Sequence, residues 1–337
     1  MKKKSEKNKE SVKRRVFWLD VLRILSILAV VTIHVSVQNW DKVVASSDVN
    51  IVLATFDGIS RFAVPVFVMI SGALMLNREI GALKCLTKIG RLAIVWIFWC
   101  AFYAAMALVT GKGREAALHD LIFGHFHMWF LPMIAALYLI TPVLRYIAKN
   151  QRWCVVAIIA LLVISVGLRF RWTAYPMYYL LGYVLGCSNI MRGKRRVMAL
   201  AMMVSLYVAS VVAIVAMNVK ASVVAGAAIH PEDADWSTLT VIQSVAVFIG
   251  VKYFVKERSR EGVEQKICSH FAADILGVYL VHIAVLGLLN RVGVSNIMFG
   301  GGASTAFGTM LTIVLTTGIS VAIIEVMRRV PGLRRVV

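Results

Sequence analysis

Runs of about 17–25 mostly apolar residues follow one another along the whole of this chain, and each is long enough to cross a hydrocarbon core of roughly 30 Å. No gap between them has room for a separate soluble domain. Of the 337 residues, 60% are hydrophobic, and the mean hydropathy is +0.79. That is far too apolar for a soluble protein of this length. The expected fold is an all-α polytopic membrane protein with about ten transmembrane helices, over 16–38, 52–76, 92–110, 129–148, 153–168, 174–190, 197–218, 237–255, 270–290 and 305–327. They form one membrane-embedded domain, 16–337, behind a short tail.

That tail, "MKKKSEKNKESVKRR" (1–15), is basic and precedes an apolar segment, as in a signal peptide. A cleaved signal has an apolar core of about 7–15 residues and then a small-residue cleavage site. Here the run is longer and holds Arg23 and His34, so a retained first helix behind a solvated cytoplasmic tail is expected. Charge gives an independent test of the spans, because cytoplasmic loops carry the excess of Lys and Arg. With the N-terminus inside, inner segments hold 28 of the 37 Lys and Arg and outer connections hold seven. The seven are Lys42, Lys112, Arg114, Arg169, Arg171, Lys220 and Arg291, and Arg23 and Arg61 remain within helices. An error of one span would scramble this alternation, so both termini are expected in the cytoplasm and the protein in a cell (inner or plasma) membrane, multi-pass.

The formal charge of +20 follows from that topology and from contact with anionic lipid. It is dispersed among loops rather than gathered on one element, which argues against nucleic acid as a partner. Cys85, Cys154, Cys187 and Cys268 fall at inner ends of spans and Cys100 within one. With none in an outer loop, disulfides are not expected. Their spacing matches no metal site.

The first span, "LDVLRILSILAVVTIHV" (19–35), holds three ionisable residues. Eleven residues separate Arg23 from His34, which is three helical turns plus roughly 20°, so both share one face about 16 Å apart. Asp20 and Arg23 form an i,i+3 pair on the same side. Arg23 is near enough to the inner interface to snorkel to headgroups with Asp20 as partner. His34 lies deeper, where a structural hydrogen bond is one reading and proton transfer the other.

Further candidates follow. "FGHFHMWFLPM" sets His125 and His127 at the outer mouth of the fourth span, beside Trp129. An interfacial aromatic belt with satisfied histidines is the alternative, and is preferred for His125. "RFAVPVFVMISGALML" places Arg61 in the outer part of the second span, Pro65 in its middle and Ser71-Gly72 toward the inside. Proline there frees a backbone carbonyl, and serine and glycine permit close approach of a helix or a ligand. "ILGVYLVH" puts Tyr279 and His282 on one face near mid-depth of the ninth span, with a hydrogen-bonded core pair as the alternative reading.

These motifs resemble acyltransferase family 3, the integral membrane O-acyltransferases. "FWLDVLR" followed by the Arg23-x10-His34 spacing is similar to the family's first-helix signature. "VPVFVMISGALML", "HMWFLPMIAALYLITPVLR", "YYLLGYVLG" and "GVYLVH" resemble its later segments in the same order. The similarity is closest to compact members without an extracytoplasmic esterase-like domain. Asp274, Ile275 and Ile283 depart from the pattern.

The resemblance implies transfer of an acyl group, usually acetyl, from cytoplasmic acyl-CoA to a hydroxyl of a sugar, envelope glycan or lipid-linked glycan. Acetyl-CoA is then the acyl donor, with no metal. It further implies that Lys84, Lys88 and Arg91 hold CoA phosphates, with Arg23 deeper in and Ser71 on the donor path. The pantetheine arm would follow the Asp20–Arg23–His34 stripe, and His34 would act as general base or carry the acyl group as nucleophile. Arg61, His127 and Trp129, with Tyr279 and His282, would line the acceptor side. The alternative is a proton-coupled transporter or glycan exporter of the same architecture. No inverted repeat relates 16–168 to 174–327, which argues mildly against a repeat-built carrier. A scaffold without catalysis would leave the buried ionisable groups unexplained.

Overall fold

The structure, a computed structural model, describes residues 16–38, 40, 43–45, 47–77, 81–188, 194–228, 237–255 and 262–337. The tail 1–15, Lys42, Arg78, Arg192 and the basic residues Lys256, Arg258 and Arg260 lie outside the described residues.

The described residues form an all-helical bundle. In chain order the helices are α1 (Phe17–Val37), α2 (Asp48–Ser60), α3 (Ala63–Leu76), α4 (Ala82–Val109), α5 (Arg114–Phe123), α6 (Phe130–Ala148), α7 (Gln151–Gly167), α8 (Ala174–Cys187), α9 (Lys194–Ala225), α10 (Thr238–Phe254), α11 (Val263–Arg291) and α12 (Gly302–Arg329). Among the described residues, seven segments are long and apolar enough to cross a membrane: 17–37, 48–76, 83–109, 114–148, 196–225, 263–291 and 302–329. α7 and α10 are shorter apolar helices, and α8 has 14 residues. The protein is thus a multi-pass membrane protein. Its outward faces are apolar: Val204, Val208 and Val212 of α9 and Met310 and Val314 of α12 are exposed.

Each of the ten expected segments carries a helix. α4, α9 and α11 extend well beyond their expected ends, so Lys84, Lys88 and Arg91 lie within α4 and Lys220 within α9 rather than in a connection. α5 was not expected. It folds back on α4, its Ala117 packing with Ala104 and Ala107.

α1 runs through the middle of the bundle, packed on α2, α3, α10, α11 and α12. The closest crossing joins α3 to α8. A Cβ at Gly72 would stand 1.9 Å from the Tyr179 carbonyl oxygen, and one at Gly182 would stand 2.0 Å from that of Met69. The two backbones therefore touch, as small residues permit between membrane helices. The second expected span breaks at Arg61 and Phe62, just ahead of Pro65. Gln243 Nε2 donates to the Gly58 carbonyl at 2.8 Å, and Tyr207 Oη to that of Ile59 at 2.8 Å. Neighbouring helices thus satisfy polar backbone that lipid would leave unpaired.

Basic side chains close several helix C-termini at one end of the bundle. Arg145 donates to the Met75 carbonyl near the end of α3 at 2.8 Å. Lys252 donates to the Leu185 and Gly186 carbonyls at the end of α8, each at 2.8 Å. Arg196 donates to the Tyr253 carbonyl at the end of α10. The last carbonyls of a helix lack intrahelical partners and carry its negative dipole end, so cations there are favourable.

Candidate functional site

A cavity of about 340 Å³ opens between α1, α3, α4, α6 and α11. Arg23, Lys88, Ser71 and Tyr138 line it toward one end, and Phe130 and Tyr279 toward the other. Most of the remaining wall is aliphatic. Arg23 projects from α1 beside Asp20, which is buried and ion-paired with it. The Lys88 ammonium stands 5.6 Å from the centre of the Tyr138 ring. Ser71 donates to the Phe67 carbonyl at 3.0 Å, so its hydroxyl is held at the cavity wall while Gly72 beside it makes the crossing with α8. Lys84 and Arg91 share α4 with Lys88 and are exposed.

The histidines gather at the other end. The His34 ring lies 5.1 Å from His282 and 6.4 Å from His127, centre to centre, and His127 lies 5.4 Å from His282. Three segments far apart in sequence supply them: the last turn of α1, the 3₁₀ turn Phe126–Trp129, and α11. Gly124, at φ 77°, turns the chain from α5 into that 3₁₀ turn, and a Cβ there would meet the Trp96 indole at 2.6 Å. His34 is half-buried, with Phe126 5.7 Å away. His127 and His282 are buried.

Hydrogen bonds fix the ring protons. His127 Nε2 lies 3.3 Å from the Leu280 carbonyl, which can only accept, so that nitrogen carries the proton. His127 Nδ1 then accepts from His125 Nδ1 at 3.2 Å. Tyr103 Oη donates to the same Leu280 carbonyl at 2.7 Å, and its ring stacks on His125 at 4.4 Å. His125 is thus a buried, satisfied group. Tyr279 Oη donates to the His127 carbonyl. The Tyr279 ring is 5.6 Å from His127 and 5.9 Å from His282, so one side chain both borders the cavity and packs against the histidines.

The structure therefore brings together His34, His127, Tyr279 and His282, and through the cavity joins them to Arg23, Lys88 and Ser71. Arg61 belongs to a second polar cluster. It bonds to Asp57 through Nε at 2.8 Å, and Asn218 Nδ2 is 3.4 Å from the same carboxylate. Trp129 is half-buried and faces α8, where it meets Tyr175 at 5.7 Å. Tyr175 in turn meets Trp172 at 6.0 Å, and the Arg171 guanidinium lies 5.5 Å over Trp172.

Sequence reasoning passed over Tyr103, Phe126 and Tyr138. The signal for Tyr103 was present in "FWCAFYAAM", a phenol inside an apolar run whose hydroxyl needs a partner. Asp274, unexpected in sequence, is buried and paired with Arg328. His270, Asp274 and Glu325 carry ligand atoms within 4.8 Å of one another, a grouping that can hold a metal, but Arg328 already brings a positive charge to Asp274.

Residues 16–325 match a family model described as an acyltransferase domain, so these helices enclose the machinery of a membrane acyltransferase. The family is acyltransferase family 3, and the chain belongs to it. No curated protein and no solved structure matches the chain.

Proposed function

We propose that this acyltransferase takes an acetyl group from cytoplasmic acetyl-CoA and transfers it to a hydroxyl of a sugar or cell-envelope glycan. One observation carries the reading: a single cavity runs from Arg23 and Lys88 to Tyr279, and the histidines stand against Tyr279. Its basic end suits the CoA phosphates, with Lys84 and Arg91 exposed on the same helix. Its aliphatic wall suits the pantetheine arm. The rise from Arg23 to His34, about 16 Å, is of the order of that arm's length. His34 acts there as general base on the acceptor hydroxyl or as transient acyl carrier. Trp129, Tyr175 and Trp172, near the histidine end, offer aromatic surface to a sugar.

In this reading the protein spans the cell membrane ten times, with both termini cytoplasmic. The helices over all ten expected segments support that count. α7 and α10, of 17 residues each, rise about 25 Å and reach across with slight local thinning. The capping of α3, α8 and α10 by Arg145, Lys252 and Arg196 supports a common, cytoplasmic face for those ends.

Purified protein in detergent tests the reading. It should bind acetyl-CoA and slowly hydrolyse it, releasing CoA thiol with water as acceptor. A protein of this architecture that only carries a solute would leave acetyl-CoA unbound, and that result would remove the proposal.

A further inference from the structure

His282 differs from the other buried histidine of the cluster in one respect. Its Nδ1 lies 2.6 Å from the Tyr279 carbonyl oxygen one turn earlier on α11. A carbonyl only accepts, so the ring proton sits on Nδ1 and Nε2 carries the basic lone pair. Nε2 has no hydrogen-bond partner among the described residues, although the residue is 0% exposed. Both nitrogens of His127, by contrast, are engaged. Leaving a buried acceptor unpaired costs stability, and native proteins do it seldom. The ring nearest to His282 in the cluster is His34, 5.1 Å away centre to centre.

We propose that His282 is the positioning residue of His34: its Nε2 accepts the N–H of His34 when substrates close the site. This rests on the function proposed above. A neutral imidazole has one N–H and one lone pair. With the N–H turned to His282, the lone pair of His34 faces the substrates. A nucleophile's base oriented by a third group is the arrangement of hydrolytic triads, with a neutral ring here in place of a carboxylate. The chain of control runs from the Tyr279 carbonyl to Nδ1 of His282, then from Nε2 of His282 to His34. Tyr279 also borders the cavity, so the residue that meets the donor sets the proton positions of the acceptor side.

The step balances without a further reactant. The acceptor hydroxyl gives its proton to His34, its oxygen bonds to the thioester carbonyl carbon, and the carbon–sulfur bond breaks. The CoA thiolate leaves and takes the proton back from His34. The products are an ester and CoA thiol, and His282 keeps its own proton on Nδ1 throughout while it holds the positively charged His34 ring in place.

Two variants of the full-length protein separate this role from a structural one. His282→Asn keeps a donor near the Tyr279 carbonyl and removes the acceptor at Nε2. His282→Gln reaches the Nε2 position with a carbonyl oxygen. With acetyl-CoA as donor and water as acceptor, His282→Asn should lower kcat by about 10²-fold, the scale of losing an orienting partner. KM for acetyl-CoA should stay within about threefold, because the donor contacts are untouched. His282→Gln should recover about a tenth of the lost rate or more. Wild-type kcat in a folded His282→Asn protein overturns the proposal while leaving the acetyl-CoA reading intact. Absence of acetyl-CoA binding by the wild type removes that reading instead. Nitrogen-15 spectra of histidine-labelled wild type decide the matter where a variant does not fold. His282 should show its unprotonated nitrogen at Nε2, and a proton there overturns the proposal.

Discussion

At the scale of single residues, a buried imidazole is defined less by its position than by the atom that receives its proton. Backbone carbonyls, Leu280 for His127 and Tyr279 for His282, decide that here. None of this was legible in the sequence. The sequence showed His34, His127 and His282 as ionisable groups in apolar runs, which is enough to suspect function. It did not show that residues 34, 127 and 282 meet, since that depends on helix packing. Removing His34 gives the sharpest test. His34→Ala should leave an inserted protein and lower acetyl-CoA turnover by at least about 10²-fold, the usual contribution of general base catalysis. A purely structural hydrogen bond would instead cost about 1–3 kcal/mol of stability and leave substantial activity. Thermal unfolding and thiol release, measured on one preparation, separate the two outcomes.

At the scale of elements, hydropathy located the helices and misjudged their lengths, for a physical reason. Apolar runs mark the part of a helix that crosses lipid. The first turns of α4 and α11 continue as helix where the sequence turns charged, and a transfer-based reading stops there. α5, "REAALHDLIF", is short and mixed in polarity, so neither length nor apolar content marks it. The sequence marks Gly72 as a place of close approach, and the helix that approaches is α8. This predicts a sharp contrast among glycines. Gly72→Ala and Gly182→Ala put a methyl against backbone, which cannot give way as a side chain does. Both should lower the melting temperature strongly or abolish folding. Gly318→Ala, with nothing within 4 Å, should be neutral or stabilising, since alanine is favoured over glycine in a helix by about 1 kcal/mol. Melting in one detergent compares all three, and equal effects would dismiss the contact argument.

At the scale of the whole molecule, the charge count predicts an alternation of sides and says nothing of what the individual charges do. Arg145, Arg196 and Lys252, counted as topology, are spent on helix ends. Lys88 borders the cavity, while Arg91 sits further along α4 on its exposed surface. Lys88→Glu should therefore weaken acetyl-CoA binding more than Arg91→Glu, and the pair of changes should leave folding nearly unaltered, because exposed charges add little stability. Added salt should weaken wild-type binding in the same direction. Unchanged affinity in the double variant would remove both from the donor site. Sidedness has its own check. On a cysteine-free background Glu115→Cys should react with an impermeant reagent from outside and Lys149→Cys only from within. Label at Lys149→Cys from outside would break the ten-span reading.

The contact between α3 and α8 has one more consequence. Most interhelical seams contain a layer of side chains that yields when something pushes. Here that cushion is missing, and the pair stands through the bundle as a single stiff post. α3 forms one wall of the cavity, and α1, α4, α6 and α11 form the others. Of the walls around that chamber, the one α3 supplies is therefore braced from behind by backbone rather than by side chains, a fixed jamb for the site.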